Sequence, residues 1–252
     1  MESGERAARE AEAYDSGIDR RGYNSWFAAG IMATAPARDR DFLRALGEVP
    51  QAGALEIGSQ GFSLFRRTGI WPRTLDCINI SAREIRRGME MAAQPSVKTK
   101  PRFHQMDAHK LTLPDASFDI VYGTGILHHL ELERAAAEIR RVLKPGGRMA
   151  FLEPWGLNPV GIAVRALTPG KRTKDETPFT LKHLAILRRH FVLEVRSYEL
   201  FTVAASALSR LVSPRKPLLA LVRPVAALDR RLSHVPGLRL LFRVVLVSGT
   251  PR

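Results

Sequence analysis

A chain of 252 residues, 45% apolar and 25% charged, can bury one sizeable core and is too balanced in composition for a disordered or fibrous protein. Its single cysteine, Cys77, excludes an internal disulfide framework and fits a reducing compartment. No apolar run reaches the roughly eighteen residues that a spanning helix needs, and the net charge of +14 leaves nucleic acid, an anionic membrane surface or a plain basic face as its meaning.

The opening "MESGERAARE" is charged and has no apolar segment, so no signal peptide is expected and a cytoplasmic location is. Residues 5–47 read as mostly helical and carry the aromatics Tyr14, Tyr23, Trp26 and Phe27. They are expected to form a helical cover over residues 1–48, ahead of one domain over 49–252, with Tyr14 and Trp26 as lid candidates. From 53 to 153 short apolar strands alternate with helical periodicity, the pattern of a parallel sheet flanked by helices.

"GALEIG" (53–58) is the first strand and "RTLDCINI" (73–80) the second. Ser81 then caps a helix, with Glu84 at capping-box spacing. "PRFHQMD" (101–107) is a short third strand and "SFDIVYG" (117–123) a fourth. A helix over "ILHHLELERAAAEIRRVL" follows, stopped by "KPGG" (144–147), and "RMAFLEP" (148–154) is the fifth strand. Residues 155–179 read as loop, Thr180 caps another helix, and "VLEVRSYEL" (192–200) and "LRLLFRVVLVSG" supply the last two strands. Between them, 201–237 is a proline-broken, amphipathic helical insertion. Residues 201–252 carry nine arginines or lysines against one acid, Asp229.

In an open parallel sheet, ligands sit at the carboxyl tips of the strands. Glu56 and Gly58 end strand one, and Gly61 follows in the same turn, where glycines allow close approach to the backbone. A ribose-binding residue is expected about 20 positions past such a loop. Asn79 lies 21 past Gly58 and Asp76 lies 18 past it, so spacing alone does not choose between them. Asp107 and Ala108 stand after strand three, and Gly123, Thr124 and Gly125 leave an uncrowded floor after strand four. The GxGxxG spacing of nicotinamide enzymes fails, with Gln60 and Ser63 where its glycines belong.

Together "LEIGSQG", "INIS", "MDAHKLTLPDASFDIVYGTGILHHL" and "IRRVLKPGGRMAFLEP" resemble the class I S-adenosylmethionine-dependent methyltransferases, specifically the type 11 small-molecule group, over roughly residues 50 to 154. The resemblance implies an α/β, Rossmann-like class I fold: a mostly parallel seven-stranded sheet with helices on both faces. It also implies S-adenosylmethionine as cofactor and no metal. Glu56 and Gly58, with Ser59 and Gly61 of the same loop, fall where the family holds the methionyl part. Asn79 falls at the ribose position, usually an acid, Asp107 and Ala108 at the adenine, and Gly123 on the floor. The glycine loop is two residues shorter than usual.

Methyl transfer then needs a general base only for a protonated acceptor. His128 and His129 follow strand four, but neighbours on a helix point about 100° apart, so one faces the cleft and His128 is the candidate. Glu153, at the end of strand five, and Asp175 or Glu176 are comparable candidates. "GTGI" replaces the proline-aromatic signature of nucleobase amino-methyltransferases, and Cys77 is misplaced for a cytosine nucleophile, which counts against nucleic acid. The expected acceptor is a small molecule, glycan or lipid, with peripheral contact to an anionic membrane through 201–237. A non-catalytic scaffold is the alternative, and an RNA methyltransferase a third reading.

Overall fold

All five positions of β1 (Gly53–Ile57) are buried, as a strand covered on both faces must be. It pairs in parallel with β2 (Thr74–Asn79) on one side and β4 (Phe118–Thr124) on the other. β3 (Arg102–Gln105) lies outside β2 and β5 (Leu143–Pro154) outside β4, both parallel. β7 (Val244–Pro251) runs antiparallel to β5 and to the edge strand β6 (Phe191–Tyr198). The order is β3-β2-β1-β4-β5-β7-β6, the seven-stranded, mostly parallel sheet expected. Chain order reverses between β1 and β4, where parallel tips open a crevice. The computed structural model describes residues 2–16, 25–59, 61–167 and 177–252.

Two cores follow from the alternation of side chains along β1. Leu55 and Ile57 face one layer, completed by Ala136 and Ile139 of α5 (Leu132–Val142) and Leu184 and Leu187 of α7 (Leu181–His190). Ala54 faces the other, where Phe42 and Leu46 of α2 (Ala28–Leu46) meet Phe65 of α3 (Ser63–Thr68). α1 (Glu2–Ser16) precedes them, α4 (Ala82–Ala92) links β2 to β3, and α6 (Pro159–Leu167) follows β5. The basic segment before β7 forms α8 (Thr202–Val212) and α9 (Leu219–Leu232). Among the described residues no helix is long and apolar enough to cross a membrane.

Four local expectations change. The helix drawn through "ILHHL" is a 3-10 turn over Leu127–His129, separated from α5 by an extended Leu130. "KPGG" lies within β5 as an excursion, since pairing with β4 jumps from Leu143 to Arg148. The stretch 155–179, read as loop, contains α6: the Asn158 side chain accepts from the Gly161 N–H at 2.8 Å, and Pro159 stands at the first helical position. The Ser81 cap accepts from the Glu84 N–H, but its own N–H goes to Asn79 Oδ1 at 2.9 Å, so the reciprocal half of the capping box is absent.

The N-terminal α2 is tied to the sheet by a buried ionic knot. Glu199, after β6, accepts from Thr34 Oγ1 at 2.8 Å and from Arg243 Nε at 2.7 Å, with Arg38 Nη1 3.5 Å away. The Arg243 guanidinium also lies 4.4 Å over the Phe27 ring. Burial pushes the Glu199 carboxyl up, but the Arg243 and Arg38 charges outweigh it and hold it below its usual range. Glu199→Gln leaves both guanidiniums without a buried counter-charge, so a loss of about 3–5 kcal/mol in denaturant stability is expected at neutral pH. Because the folded carboxyl is the stronger acid, this contribution is present above the usual carboxylate range and fades as pH falls through and below it.

Candidate functional site

The tips of β1, β2 and β4 and the turn after β3 meet in a narrow cleft, which α1 covers. Its lining is largely apolar, with Ile57, Ile78, Ile80, Met106, Ala108 and Ile126 as walls. Polar groups enter at defined places: Asn79, Asp107, His109 and His129 from the sheet side, and Arg6, Glu10 and Tyr14 from α1. The last three recur every four residues, so they form one stripe of the helix. Asp15, near its end, accepts from Ser81 Oγ at 2.6 Å and the Arg83 N–H at 3.1 Å, anchoring α1 to the N-terminus of α4.

The shortened glycine loop is built on Glu56. Its carboxylate is buried at the end of β1 and accepts from Ser59 Oγ, from the Phe62 N–H at 3.1 Å and from the Cys77 thiol at 3.7 Å. Burial pushes the Glu56 carboxyl up to about 7 against the pull of those donors. The Cys77 thiol is in turn pushed well above its ordinary value, by burial and by Glu56. Ser59 continues the β1–β2 ladder, its N–H donating to Ile78 O at 2.9 Å. Gly58 turns the chain here with φ of +68°, and a Cβ on it would meet the Ile126 side chain at 2.7 Å.

Asn79 closes the same corner. Its Nδ2 donates to Ser59 O at 2.8 Å while its Oδ1 accepts from the Ser81 N–H. A carboxylate could not donate to that carbonyl, so the amide goes with the short loop, which brings Ser59 O within reach. Asp76 is engaged elsewhere: Arg102 holds it from β3 with Nε at 2.9 Å and Nη2 at 2.5 Å, and His104 Nε2 lies 2.7 Å away. Asn79 lines the cleft; Asp76 does not.

Asp107 is set by a neighbour that the motif gave no reason to weigh. The Glu131 N–H donates to His109 Nε2 at 2.8 Å, so the other ring nitrogen carries the proton. That Nδ1–H donates to Asp107 Oδ1 at 2.6 Å, which also accepts the His109 N–H at 3.0 Å. Partial burial pushes the Asp107 carboxyl up, and the His109 hydrogen bonds outweigh it, leaving the group below its usual range. The cradle therefore holds a carboxylate at the edge of the slot, next to the buried Ala108.

Of the other expected residues, Glu56, Ser59, Gly61 and Gly123 do not line the cleft; Gly61 lies against Met91, and a Cβ on Gly123 would meet Ile57 O at 2.9 Å. The 3-10 turn gives the two histidines different surroundings. His128 is 2% exposed and absent from the cleft lining, with Nδ1 2.7 Å from Glu153 Oε2. Glu153 Oε1 in turn accepts from the Ile126 and Leu127 N–H groups at 3.0 and 2.9 Å. His129 lines the cleft, with Nε2 3.3 Å from the Tyr14 hydroxyl and Nδ1 3.1 Å from Glu10 Oε2. Trp26 packs with Phe27, Val164 and Val203 instead of covering the cleft, and Tyr23, Asp175 and Glu176 lie outside the described residues.

Residues 55–151 match the family model described as a methyltransferase domain. Dimethylglycine N-methyltransferase of Parasynechococcus marenigrum is 30% identical over 149 residues, 57% of this chain and 52% of that protein. 27-O-demethylrifamycin SV methyltransferase of Amycolatopsis mediterranei is 38% identical over 75 residues, 29% of this chain and 28% of that one. This chain thus spans about half or less of the length of these curated relatives. Geranyl diphosphate C-methyltransferase of Streptomyces coelicolor shares the fold at a TM-score of 0.60 and 14% identity, covering 86% of this chain and 79% of that one. The sheet order and these matches define a class I S-adenosylmethionine-dependent methyltransferase fold. Through residues 55–151 the chain is similar to that methyltransferase-domain family.

The raised Glu56 value has a consequence for stability. The folded chain holds that proton up to about pH 7, whereas the unfolded chain releases it near the ordinary carboxylate value of 4.5. Stability from this group is therefore full below that ordinary value and is lost as pH rises to about 7, a change on the order of 3 kcal/mol. Melting curves of Glu56→Gln across this window should lack that component.

Proposed function

We propose that the protein transfers a methyl group from S-adenosylmethionine to a small-molecule acceptor. The observation that carries the reading is an apolar slot at converging strand tips with an oriented carboxylate, Asp107, at its edge. The residues fit the adenosyl group: Asp107 Oδ2, without a partner among the described residues, can accept from an exocyclic amine, and Ile80, Met106 and Ala108 supply flat apolar cover. The Gly58 turn permits close approach of a ligand to the backbone. When bound, the cofactor supplies an electrophilic methyl group.

The chain's own task is alignment and exclusion of water, and α1 serves both by covering the cleft. For a protonated acceptor, His129 takes the general-base role expected of His128. Glu10 lies beside Nδ1, and Nε2, now facing the Tyr14 hydroxyl, is the atom that receives the proton. His128, held by Glu153, positions the turn that carries His129.

One observation favours the scaffold reading instead: Asn79 has committed both amide atoms within the chain. Calorimetric titration with S-adenosylmethionine separates the two, since a scaffold without cofactor gives no heat. Asp107→Ala is expected to weaken binding about tenfold or more and to lower the melting temperature modestly, because a charge-assisted acceptor is lost and the buried His109 Nδ1–H loses its partner. His129→Ala is expected to keep cofactor binding and lose methyl incorporation, read by a labelled-methyl screen of metabolite pools. Unchanged affinity in Asp107→Ala counts against the assigned adenosine slot.

A further inference from the structure

α8, the first helix of the hairpin it forms with α9, is built inside out. A helix on a soluble core buries its apolar stripe and shows its polar one. α8 buries Thr202, Val203, Ser206 and Ser209, and exposes Leu208, Leu211 and Val212, the last two by 65% and 67%. The buried hydroxyls are used: Ser206 Oγ accepts from the Gly30 N–H at 3.0 Å and Ser209 Oγ from the Leu218 N–H at 2.8 Å. Gly30 lets α2 approach this small-residue face closely, since a Cβ there would stand 3.2 Å from Thr202 Cγ2. α9 buries Val222 and also Asp229, which caps the N-terminus of α8 through the Leu200, Phe201 and Thr202 N–H groups at 2.8–3.0 Å. It exposes Leu221 and Leu228.

The neighbouring α6 extends the exposed apolar surface. It packs on α8 through Val164 and Val203 and exposes Ile162 and Leu167, the latter by 76%. Charge then selects what covers this face. Between 200 and 252 the sole acid, Asp229, is buried in its capping role, and Arg215 and Lys216 are exposed just past Leu211 and Val212, whereas Arg223 and Arg230 line a groove with Asp41 and Glu194 on the other flank of α9. A second copy would bring the same cations against them, and nucleic acid would leave the leucines and valine exposed to water. A bilayer with anionic lipid answers both: apolar side chains enter the headgroup–acyl boundary and the cations meet phosphate and carboxylate headgroups.

We propose that the α6–α8–α9 face is a peripheral docking surface for anionic lipid bilayers. The inference does not rest on the methyl-transfer reading, and its test reads membrane partition, not cofactor binding. The full chain is sedimented with phosphatidylcholine–phosphatidylserine vesicles at low salt, with phosphatidylcholine vesicles as the neutral comparison. The chain is expected to pellet with the mixed vesicles, to pellet far less with neutral ones, and to be released by salt. Leu211→Asp with Val212→Asp should lower partition by about tenfold or more, with melting temperature and S-adenosylmethionine titration unchanged, because both side chains already face solvent. Arg215→Glu with Lys216→Glu should lower it by roughly fivefold or more per residue, since each cation near such a surface counts for about 1 kcal/mol. Absence of pelleting, pelleting equal in the Asp pair, or a self-associated form that the Asp pair dissolves would each overturn the proposal.

Discussion

A carboxyl group buried at the end of β1 has to be supplied with hydrogen-bond partners, and the cleft is organised by how that demand is met. Glu56 draws Ser59 and the Phe62 N–H back over itself, folding the short loop down onto the sheet end. That compaction puts Ser59 O within reach of β2, where only a donor serves, and Asn79 is the donor. Asn79 then takes the Ser81 N–H, and Ser81 with Asp15 ties the covering helix to α4. The departures from the pattern that the sequence resembles, a short loop and an amide in place of an acid, are therefore structurally coupled.

The parts legible in the sequence were those written in local periodicity. β1, β2 and β4 are apolar runs between turn residues, and their order and spacing define the sheet centre before any coordinates are seen. What escaped depended on contacts far apart in the chain. His109 reads as an arbitrary residue after "DA" until Glu131, 22 positions on, fixes its tautomer. Which of His128 and His129 lines the cleft depends on a 3-10 turn, which rotates neighbours by a different angle from an α-helix. The same holds for Glu199, whose two guanidinium partners come from α2 and from the residue before β7.

Some of the missed features did carry a local signal. "NPVGIAVRAL" has asparagine at the cap and proline at the first helical position, enough to start α6 within a stretch that its other prolines made look like loop. Arg6, Glu10 and Tyr14 at intervals of four mark the face of α1 that meets the cleft. The basic insertion was visible as composition, whereas its inversion was not. Helical periodicity locates an apolar stripe without saying which side of the helix the core occupies, and the buried serines settle that.

Cys77 lies on β2 directly opposite Glu56 of β1, wholly enclosed and with its thiolate disfavoured. The chain thus contains one sulfhydryl, placed at the seam between its two innermost strands on that side. An alkylating reagent can reach it only when the layer that covers its face of the sheet lifts, so the sequence comes with a reporter of core opening already installed.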